Sequence, residues 1–407
     1  MFEDQTGLTV DMQVGIPTDS GVSIDDATRT LNAMLLSENC PDILVVDDLP
    51  LTELAEQGAL ADLAEEKDAL LAGSSFFENI LDVDGPEAVF ALPTRFTLPI
   101  VMGNSIYISE DTTVSSLAQL FTSNQELGPT LSPDNFISDV YAASYPEIII
   151  NDNLSQEGLK AFLQNLKELL LVAESNFPQD IPELAQYSHL DDSPYCFTSP
   201  NASCSTGELF ITPEHQIQLS TLSDPTDFGY LHLTQQEVPY TFVSSLLSQS
   251  PQKVFVPNTI LSICARSKHP QEARDFIAYT LSKESQSQNQ LTAGEYEAHS
   301  YGGGLPVNKD AFVDFFNDNK KNAGGYGIGF SDGGPEDEAT WFTTEPLSDD
   351  QIATCIETIE SATVPVLFDK VVTNAIAGGF VKYYRDELSL EETVTSISQS
   401  VELYLKQ

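Results

Sequence analysis

Residues 40–63 read CPDILVVDDLPLTELAEQGALADL, and this stretch decides the fold. The apolar, mostly β-branched run Ile43–Val46 is typical of a strand that is buried on both faces. Pro and Gly at the two ends of 50–58 predict a short helix after it. Asp47 and Asp48 lie between the strand and the helix. The pattern therefore predicts two carboxylates at the carboxyl end of a parallel strand, where open α/β sheets bind ligands.

The chain has 407 residues, of which 41% are hydrophobic, and this length predicts two domains. Its formal net charge is -45, from 62 Asp and Glu against 17 Lys and Arg. Such a surface repels phosphate backbones and anionic headgroups, so we expect neither a nucleic-acid partner nor a membrane-surface role. The acidity is typical of a protein that stays soluble outside the cell.

Strands and helices alternate along the rest of the chain, which predicts an α/β fold with largely parallel sheets. Leu8–Met12 alternates apolar and polar residues and is predicted to be a strand. Phe96–Val101 and Thr259–Ala265 are predicted to be extended as well. A helix that begins after Ser155 carries a continuous apolar face, which predicts that it packs on a core.

Five cysteines show no spacing typical of a metal site. Cys40, Cys264 and Cys355 lie beside apolar residues and are predicted to be small buried hydrophobes. Cys196 and Cys204 flank the turn-rich sequence FTSPNAS. They are the candidate disulfide, which would form in an oxidising compartment.

Motifs of the common enzyme classes are absent from the sequence: it contains no GxSxG, no HExxH and no P-loop. The histidines are isolated from one another, and we expect neither a metal site nor a cofactor. We therefore expect a protein that is not an enzyme. A glycan-cleaving pair of carboxylates stays open as an alternative, because carboxylates are so abundant here.

The order of several segments resembles the extracellular solute-binding proteins of family 1, the maltose-binding-protein-like sugar-binding proteins of ABC importers. The matching segments read FEDQTGLTVDMQ, PDILVVDDLPLTELAEQGALADL, LPTRFTLPIVMG, VFVPNTILSICARSKHPQEARDFIAYTLSKESQ, GGLPVNKDAF and LSLEETVTSISQSVELYLK. Together they span almost the whole chain in the order of the family. No single segment is diagnostic, and the resemblance depends on the ordered set.

The resemblance implies a two-lobed periplasmic-binding fold of type II, with hinge crossovers between the lobes and a ligand in the cleft. Domain I would comprise residues 1–99 and 258–316, and domain II would comprise residues 100–257 and 317–407. A ligand that contacts both lobes favours the closed state through the contacts that only this state makes.

The same resemblance implies a monomer that captures a sugar or oligosaccharide and delivers it to the permease subunits of an ABC importer. The full-length form would be lipid-anchored at the extracellular face of the bacterial membrane. A ligand-sensing receptor module that feeds a sensor protein is the alternative. Peptides, polyamines and modified glycans stay open as ligands.

One departure from the family concerns the start of the chain. In the family, an export signal, a strand and a helix precede the segment that matches Phe2–Gln13, and they are missing from this sequence. The missing strand lies between those that match Leu8–Met12 and Ile43–Val46. We therefore expect these two strands to face each other across a gap with unpaired edges, and we expect marginal stability.

Three charged residues are candidates for contact with a ligand. Asp47 and Asp48 are placed to bind sugar hydroxyls, although Asp48 alternatively caps the helix that follows. Arg95 lies just before the first crossover. Its guanidinium could reach the cleft as a forked donor, or it could form an ion pair between the domains.

Three aromatic residues complete the candidate site, because sugar sites combine hydrogen-bonding side chains with an aromatic face. Trp341 is the single tryptophan and follows a glycine-rich acidic loop. It is predicted to stack on a pyranose ring, and packing beneath the loop is the alternative. Tyr326 and Phe330 lie in that loop and are further candidates.

Overall fold

The structure is a computed structural model of the chain. It describes residues 2–14, Val22, 24–35, Ser37, 39–83, 89–128, 133–151, 153–176, 216–287, 303–321, 325–330 and 340–404.

The secondary structure of these residues alternates between helices and short strands, with two strands that are much longer than the rest. The strands are β1 Ile43–Val45, β2 Leu92–Asn104, β3 Ile149–Ile150, β4 Asn153–Leu154, β5 Ile217–Leu222, β6 Phe242–Leu246, β7 Lys253–Ile263, β8 Leu305–Pro306, β9 Tyr326–Phe330, β10 Thr340–Thr344 and β11 Ala362–Pro365. The helices are α1 Phe2–Thr6, α2 Ile24–Leu35, α3 Leu51–Glu56, α4 Ala64–Gly73, α5 Glu78–Leu81, α6 Val114–Ser123, α7 Pro133–Ile148, α8 Gln156–Asn176, α9 Pro225–Glu237, α10 Pro270–Thr280, α11 Lys283–Ser287, α12 Lys309–Lys321, α13 Asp349–Glu360, α14 Lys370–Tyr384 and α15 Leu390–Tyr404.

The largest sheet of the described residues is built around the long strands β2 and β7, which pair with each other in antiparallel fashion. Strand β7 also pairs antiparallel with β1, and β2 pairs antiparallel with β5, β6 and β8. In this sheet only β11 runs parallel to its neighbour, which is β7. The prediction of largely parallel sheets is wrong. An apolar run indicates that a strand is buried but does not reveal its direction.

Two hydrophobic cores share these long strands. The first core includes Leu44, Phe77, Phe96, Phe228, Phe255, Ile260, Phe312 and Ile359. The second core includes Val101, Tyr141, Phe162, Leu166, Leu219, Val254, Ile376 and Val401. Because β2 and β7 contribute residues to both cores, they join the two packed units of the chain.

The first core combines residues from both predicted domains. The rings of Phe77 and Phe312 meet edge to face with their centroids 5.6 Å apart. Phe228 of α9 packs on Phe312 in the same way at 5.7 Å. Phe228 falls in predicted domain II, whereas the other two rings fall in domain I. Aromatic packing therefore extends across the predicted boundary, and the boundaries themselves stay a prediction.

Helix α8 packs as its sequence predicts. Leu159, Phe162, Leu163, Leu166 and Leu170 are each at most 1% exposed, and all of them lie in the second core. Their spacing places them on one side of the helix, so the apolar stripe is buried while the polar side faces water.

The first residues of the chain do not form the predicted strand. Helix α1 is anchored by Phe2, whose ring lies 5.2 Å from that of Phe276 and 5.4 Å from that of Tyr279. Residues 8–14 are exposed, and no described strand pairs with them. The prediction of a strand at Leu8–Met12 is wrong. Alternating apolar and polar residues indicate which side of a strand would be buried, but they do not show that a neighbouring strand is present to pair with it.

Strand β1 lies at the edge of the sheet, and β7 is the one strand paired with it in the described part of the chain. Val45 is 58% exposed. The prediction of a parallel strand that is buried on both faces is therefore wrong for β1. Within the described ranges no strand pairs with the other edge of β1.

Cys40 and Cys264 form a disulfide that joins the segment before β1 to the end of β7. Cys264 is buried, as predicted, but the prediction of small buried hydrophobes did not include a bond between these two cysteines. The two cysteines are 224 residues apart in the sequence, and the pairing of β1 with β7 brings them together. Cys355 is free and buried, as predicted. Cys196 and Cys204 lie outside the described residues.

Asp139 of α7 is a buried carboxyl in the wall of the second core. Its Oδ1 accepts a hydrogen bond of 2.5 Å from the Thr221 hydroxyl of β5. Burial raises the pKa of Asp139 to about 7, although this hydrogen bond opposes the rise. The folded chain therefore holds a proton that the unfolded chain releases near pH 4, and stability falls as the pH rises from about 4 to about 7.

We expect the double variant Cys40→Ser/Cys264→Ser to lose about 2–5 kcal/mol of unfolding free energy in urea titrations, because the disulfide restricts the unfolded chain. A reducing agent should lower the melting temperature of the natural chain and leave that of the double variant unchanged. Cys355→Ala is the control and should keep the response to reductant. Equal responses of the natural chain and the double variant would contradict the disulfide.

We expect Asp139→Asn to abolish a pH dependence of stability on the order of 3–4 kcal/mol between about pH 4 and pH 7. The natural chain should lose unfolding free energy relative to the variant as the pH rises, since only Asp139 must give up a proton. Urea titrations of both proteins across this range measure the difference. A difference that stays constant with pH would show that this carboxyl does not titrate there.

Candidate functional site

The predicted residues Asp47 and Arg95 lie on opposite sides of the centre of β7. The Asp47 carboxylate accepts hydrogen bonds from the backbone N–H groups of Thr259, at 2.5 Å, and Ile260, at 3.0 Å. Arg95 is on β2, where it is the cross-strand partner of Asn258. The candidate site is therefore built on the two strands that both cores share.

Asp47 is held by the protein itself, since each of its carboxylate oxygens accepts a backbone N–H. Burial raises the pKa of Asp47, and the hydrogen bonds from Ile260 and Thr259 oppose the rise. The neighbouring charge of Asp48 raises this pKa further. Contact between Asp47 and a ligand stays a prediction, and the carboxylate already has a role in holding β7.

Asp48 lies beside Lys370, the first residue of α14. The Asp48 Oδ2 and Lys370 Nζ atoms are 3.5 Å apart, and the two side chains are 56% and 31% exposed. Helix α14 packs in the second core, so this exposed ion pair joins the loop after β1 to a helix of the other core. No side chain caps α3, so Asp48 does not act as the helix cap that was the alternative.

Arg95 is 6% exposed, and its Nη2 donates a hydrogen bond of 3.2 Å to the Gln286 carbonyl. Burial lowers the pKa of Arg95 to about 10, and the charge of Asp224 opposes this. Among the ion pairs of the described residues none includes Arg95, so the alternative of an interdomain ion pair is not formed. The guanidinium is thus buried and charged at neutral pH, and the described residues place no carboxylate within ion-pair distance of it.

Asp224 and Tyr230 belong to the same region, and sequence reasoning missed both. Asp224 caps α9, where its Oδ1 accepts from the Thr226 N–H at 2.8 Å and from the Thr226 hydroxyl at 2.7 Å. Its charge acts on Arg95 and on half-buried Tyr230. Burial raises the pKa of Tyr230, as do Asp227 and Asp224. An Asp directly before a Pro is a helix-start signal that could have located α9.

The predicted aromatic residues occupy different environments. Trp341 of β10 is 68% exposed, so its side chain is not buried. Tyr326 is 5% exposed, its hydroxyl accepts from Asn319 Nδ2 at 3.3 Å, and burial raises its pKa to about 12. Phe330 ends β9, and its side chain lies outside the described residues.

The aromatic residues connect only partly with the charged ones. The ring of Tyr326 lies 6.3 Å from that of Tyr230, and Asp224 acts on both. Tyr326 therefore contacts Tyr230, which lies near the same carboxylate, Asp224, that acts on Arg95. No contact found in the described part of the chain joins Trp341 to Asp47, Asp48 or Arg95, and its contact with a ligand stays a prediction.

Other kinds of site find little support in the described residues. They contain no cluster of three or more His, Cys, Asp or Glu side chains that could hold a metal ion. None of their helices combines the length and the apolar character needed to cross a bilayer. A shallow pocket beside α6 is lined by Tyr107, Gln119 and Asn124 among others, and includes none of the predicted site residues.

The chain has the α/β fold of the two-lobed periplasmic solute-binding proteins. It matches a protein from Synechococcus sp. MITs9220 that is described as a candidate oligosaccharide periplasmic-binding protein in complex with zinc. The identity is 14%, the match covers 100% of this chain and 93% of that chain, and the TM-score is 0.50. The fold assignment rests on this comparison.

Many of the other matching structures are also solute-binding or sugar-binding proteins. One is an extracellular solute-binding protein of family 1 from Alicyclobacillus acidocaldarius, with 14% identity, a TM-score of 0.48, and coverage of 94% of this chain and 89% of that chain. Another is an ABC transporter solute-binding protein from Thermotoga lettingae bound with α-D-tagatose, with 15% identity, a TM-score of 0.49, and coverage of 99% and 93%. No protein-family model matches the chain, and no curated protein matches it.

We expect Arg95→Met to raise the unfolding free energy by about 1–3 kcal/mol in urea titrations, because a buried charge with no carboxylate partner among the described residues is replaced by an apolar chain of similar length. Arg274→Met is the matched control, since Arg274 pairs with Glu66. This control should lose stability slightly, because it breaks an ion pair. A loss of stability in Arg95→Met equal to that of the control would show that Arg95 serves the fold rather than a site.

Proposed function

We propose that the chain is an extracellular solute-binding protein that captures a carbohydrate and delivers it to the permease subunits of an ABC importer. The ligand would lie near the centre of β2 and β7, among Arg95, Asp48, Asp224 and Tyr230. Closure of the two packed units around the ligand would present the loaded form to the permease. The protein would act by binding alone, without chemical change to the ligand.

The observation that carries this proposal is the state of Arg95. The guanidinium is buried and charged, yet it has one carbonyl acceptor and no carboxylate within ion-pair distance among the described residues. A fold gains little from such a group, because burying a charge without a partner is costly. A ligand with hydroxyl or carboxylate oxygens would provide acceptors that the described part of the chain does not supply.

The groups near Arg95 support a polyhydroxylated ligand. Sugars are bound by planar donors and acceptors together with an aromatic face. Arg95 would supply the donors and Asp224 the acceptor oxygens. The half-buried ring of Tyr230, whose pKa the charge of Asp224 raises, would supply the aromatic face. The fold, which is that of periplasmic solute-binding proteins, supports the same class of ligand.

The disulfide supports a location outside the cytoplasm. Structural disulfides persist in oxidising compartments and are rare in the reducing cytosol. Cys40 and Cys264 are joined across the pairing of β1 and β7, where the bond stabilises an edge strand. The net charge of -45 also suits a protein that must stay dissolved outside the cell. Lipid anchoring of a full-length form is part of this proposal.

We expect at least one neutral or acidic oligosaccharide to raise the melting temperature in a panel that also contains peptides and polyamines. A ligand at about 1,000 times its dissociation constant should add about 4 kcal/mol to stability. Titration calorimetry of the positive compounds then gives their affinities. A shift with peptides or polyamines alone would contradict the carbohydrate assignment, and no shift with any compound would contradict the solute-binding function.

Two pairs of variants locate the site in the same panel. Arg95→Met should abolish the shift given by the active sugar, and Arg274→Met should retain it. Tyr230→Ala should weaken binding by about 10-fold or more if the ring packs on the sugar, since aromatic contacts contribute about 0.5–1.5 kcal/mol beyond the apolar area that they bury. Tyr107→Ala is the control for loss of an aromatic ring elsewhere. Unchanged binding by Arg95→Met would place the ligand at a different site.

A further inference from the structure

Thr259 adopts a backbone conformation that is rare for its residue type. Its φ angle is 51°, in the left-handed region that β-branched residues seldom enter. The residue lies inside β7, where Asn258 pairs with Arg95 and Ile260 pairs with Pro93 on either side of it. Strain of this kind persists only where surrounding contacts impose it, and it is concentrated at switches and binding sites.

Side chains hold Thr259 in this conformation from both directions. The Asp47 carboxylate accepts the N–H groups of Thr259 and Ile260 at 2.5 and 3.0 Å. The Thr94 hydroxyl donates to the Thr259 carbonyl at 3.2 Å. Polar side chains therefore satisfy the backbone groups of Thr259. Asp47 accepts two of these three hydrogen bonds, so it holds this segment more firmly than Thr94 does.

The strained residue separates the part of β7 that reaches the second core from the part that packs in the first core alone. Val254 and Val256 pack in the second core and Phe255 between them in the first core, all before Thr259. Ile260 and Ile263, after Thr259, pack in the first core. A change in the φ angle of Thr259 would therefore turn the segment that carries Val254 and Val256 relative to the segment that carries Ile260 and Ile263.

We propose that Asp47 is a positioning residue of the hinge, which holds the kink at Thr259 and thereby sets the angle between the two cores. This inference rests on the proposed closure around a ligand, and it assigns to Asp47 a role other than direct contact with that ligand. Loss of the carboxylate would let Thr259 return to extended backbone. The two halves of β7 would then straighten, and the cores would move apart or together.

Asp48 provides a matched control because it is the next residue in the chain and also carries a carboxylate. Its side chain is 56% exposed and faces Lys370 rather than β7. The variants Asp47→Ala and Asp48→Ala therefore remove the same group from adjacent positions. Only the first releases the backbone of β7.

Glycine at position 259 separates positioning from simple stabilisation, because glycine adopts positive φ without strain. We expect Asp47→Ala to raise the unfolding equilibrium constant roughly tenfold or more, and Asp48→Ala to change it by less than about threefold. The double variant Asp47→Ala/Thr259→Gly should recover much of the stability lost in Asp47→Ala. Glycine adopts the positive φ angle without strain, so the Asp47 carboxylate is no longer needed to maintain it. A double variant no more stable than Asp47→Ala would overturn the proposal.

The angle between the cores is read by small-angle X-ray scattering of the free chain, which requires no ligand. The radius of gyration should change in Asp47→Ala, return to the natural value in the double variant, and stay unchanged in Asp48→Ala. Hydrogen exchange at residues 256–263 should accelerate in Asp47→Ala alone. An unchanged radius of gyration in Asp47→Ala would show that the carboxylate only stabilises the fold, and would overturn the positioning role.

The outcome is independent of the glycan panel. If the scattering and stability results are as expected and no sugar binds, the hinge role of Asp47 stands and the carbohydrate assignment fails. If sugars bind and Asp47→Ala behaves like Asp48→Ala, the carbohydrate assignment stands and the hinge role fails.

Discussion

The antiparallel pairing of β2 with β7 is the interaction on which the rest of the structure depends. Each strand is long enough to contribute residues to both hydrophobic cores. Every other strand of the main sheet pairs with β2 or with β7. The candidate site lies at the centre of this pair, because Arg95 and Thr259 belong to it and Asp47 is bonded to it. The element that joins the cores therefore also carries the charged groups.

The centre of the pair is also the least regular part of the sheet. A buried guanidinium lies beside a residue with a positive φ angle, and a carboxylate with a raised pKa accepts the backbone N–H groups there. A fold selected only for stability would replace these groups with apolar side chains in regular strands. Their joint presence at one place in an otherwise well-packed sheet is the physical reason to locate function there.

Sequence patterns predicted the features that depend on local spacing. The apolar stripe of α8 is buried, and the helix that ends before Gly58 forms where Pro50 and Gly58 predict it. Gly58 itself has a φ angle of 67°, which only glycine adopts freely. These elements were predictable because each depends on residues within a few positions of one another.

The errors concern features that depend on distant residues. The direction of β1 and the disulfide depend on partners far along the chain. The predicted strand at Leu8–Met12 did not form, because a strand also needs a neighbour to pair with. The candidate site shows the same limit. Asp47 and Arg95 were named from their places after a strand and before the first crossover, whereas Asp224 and Tyr230 come near Arg95 only through the fold.

The span of the Cys40–Cys264 bond has a consequence for the way in which the chain is made. Strand β1 is among the first strands to emerge during synthesis, but its partner β7 follows more than two hundred residues later. At typical elongation rates of about 5–20 residues per second, Cys264 is synthesised roughly 10–45 s after Cys40. During that interval the apolar run after Cys40 has no neighbour. Until β7 is made, this run is a place at which the nascent chain can aggregate.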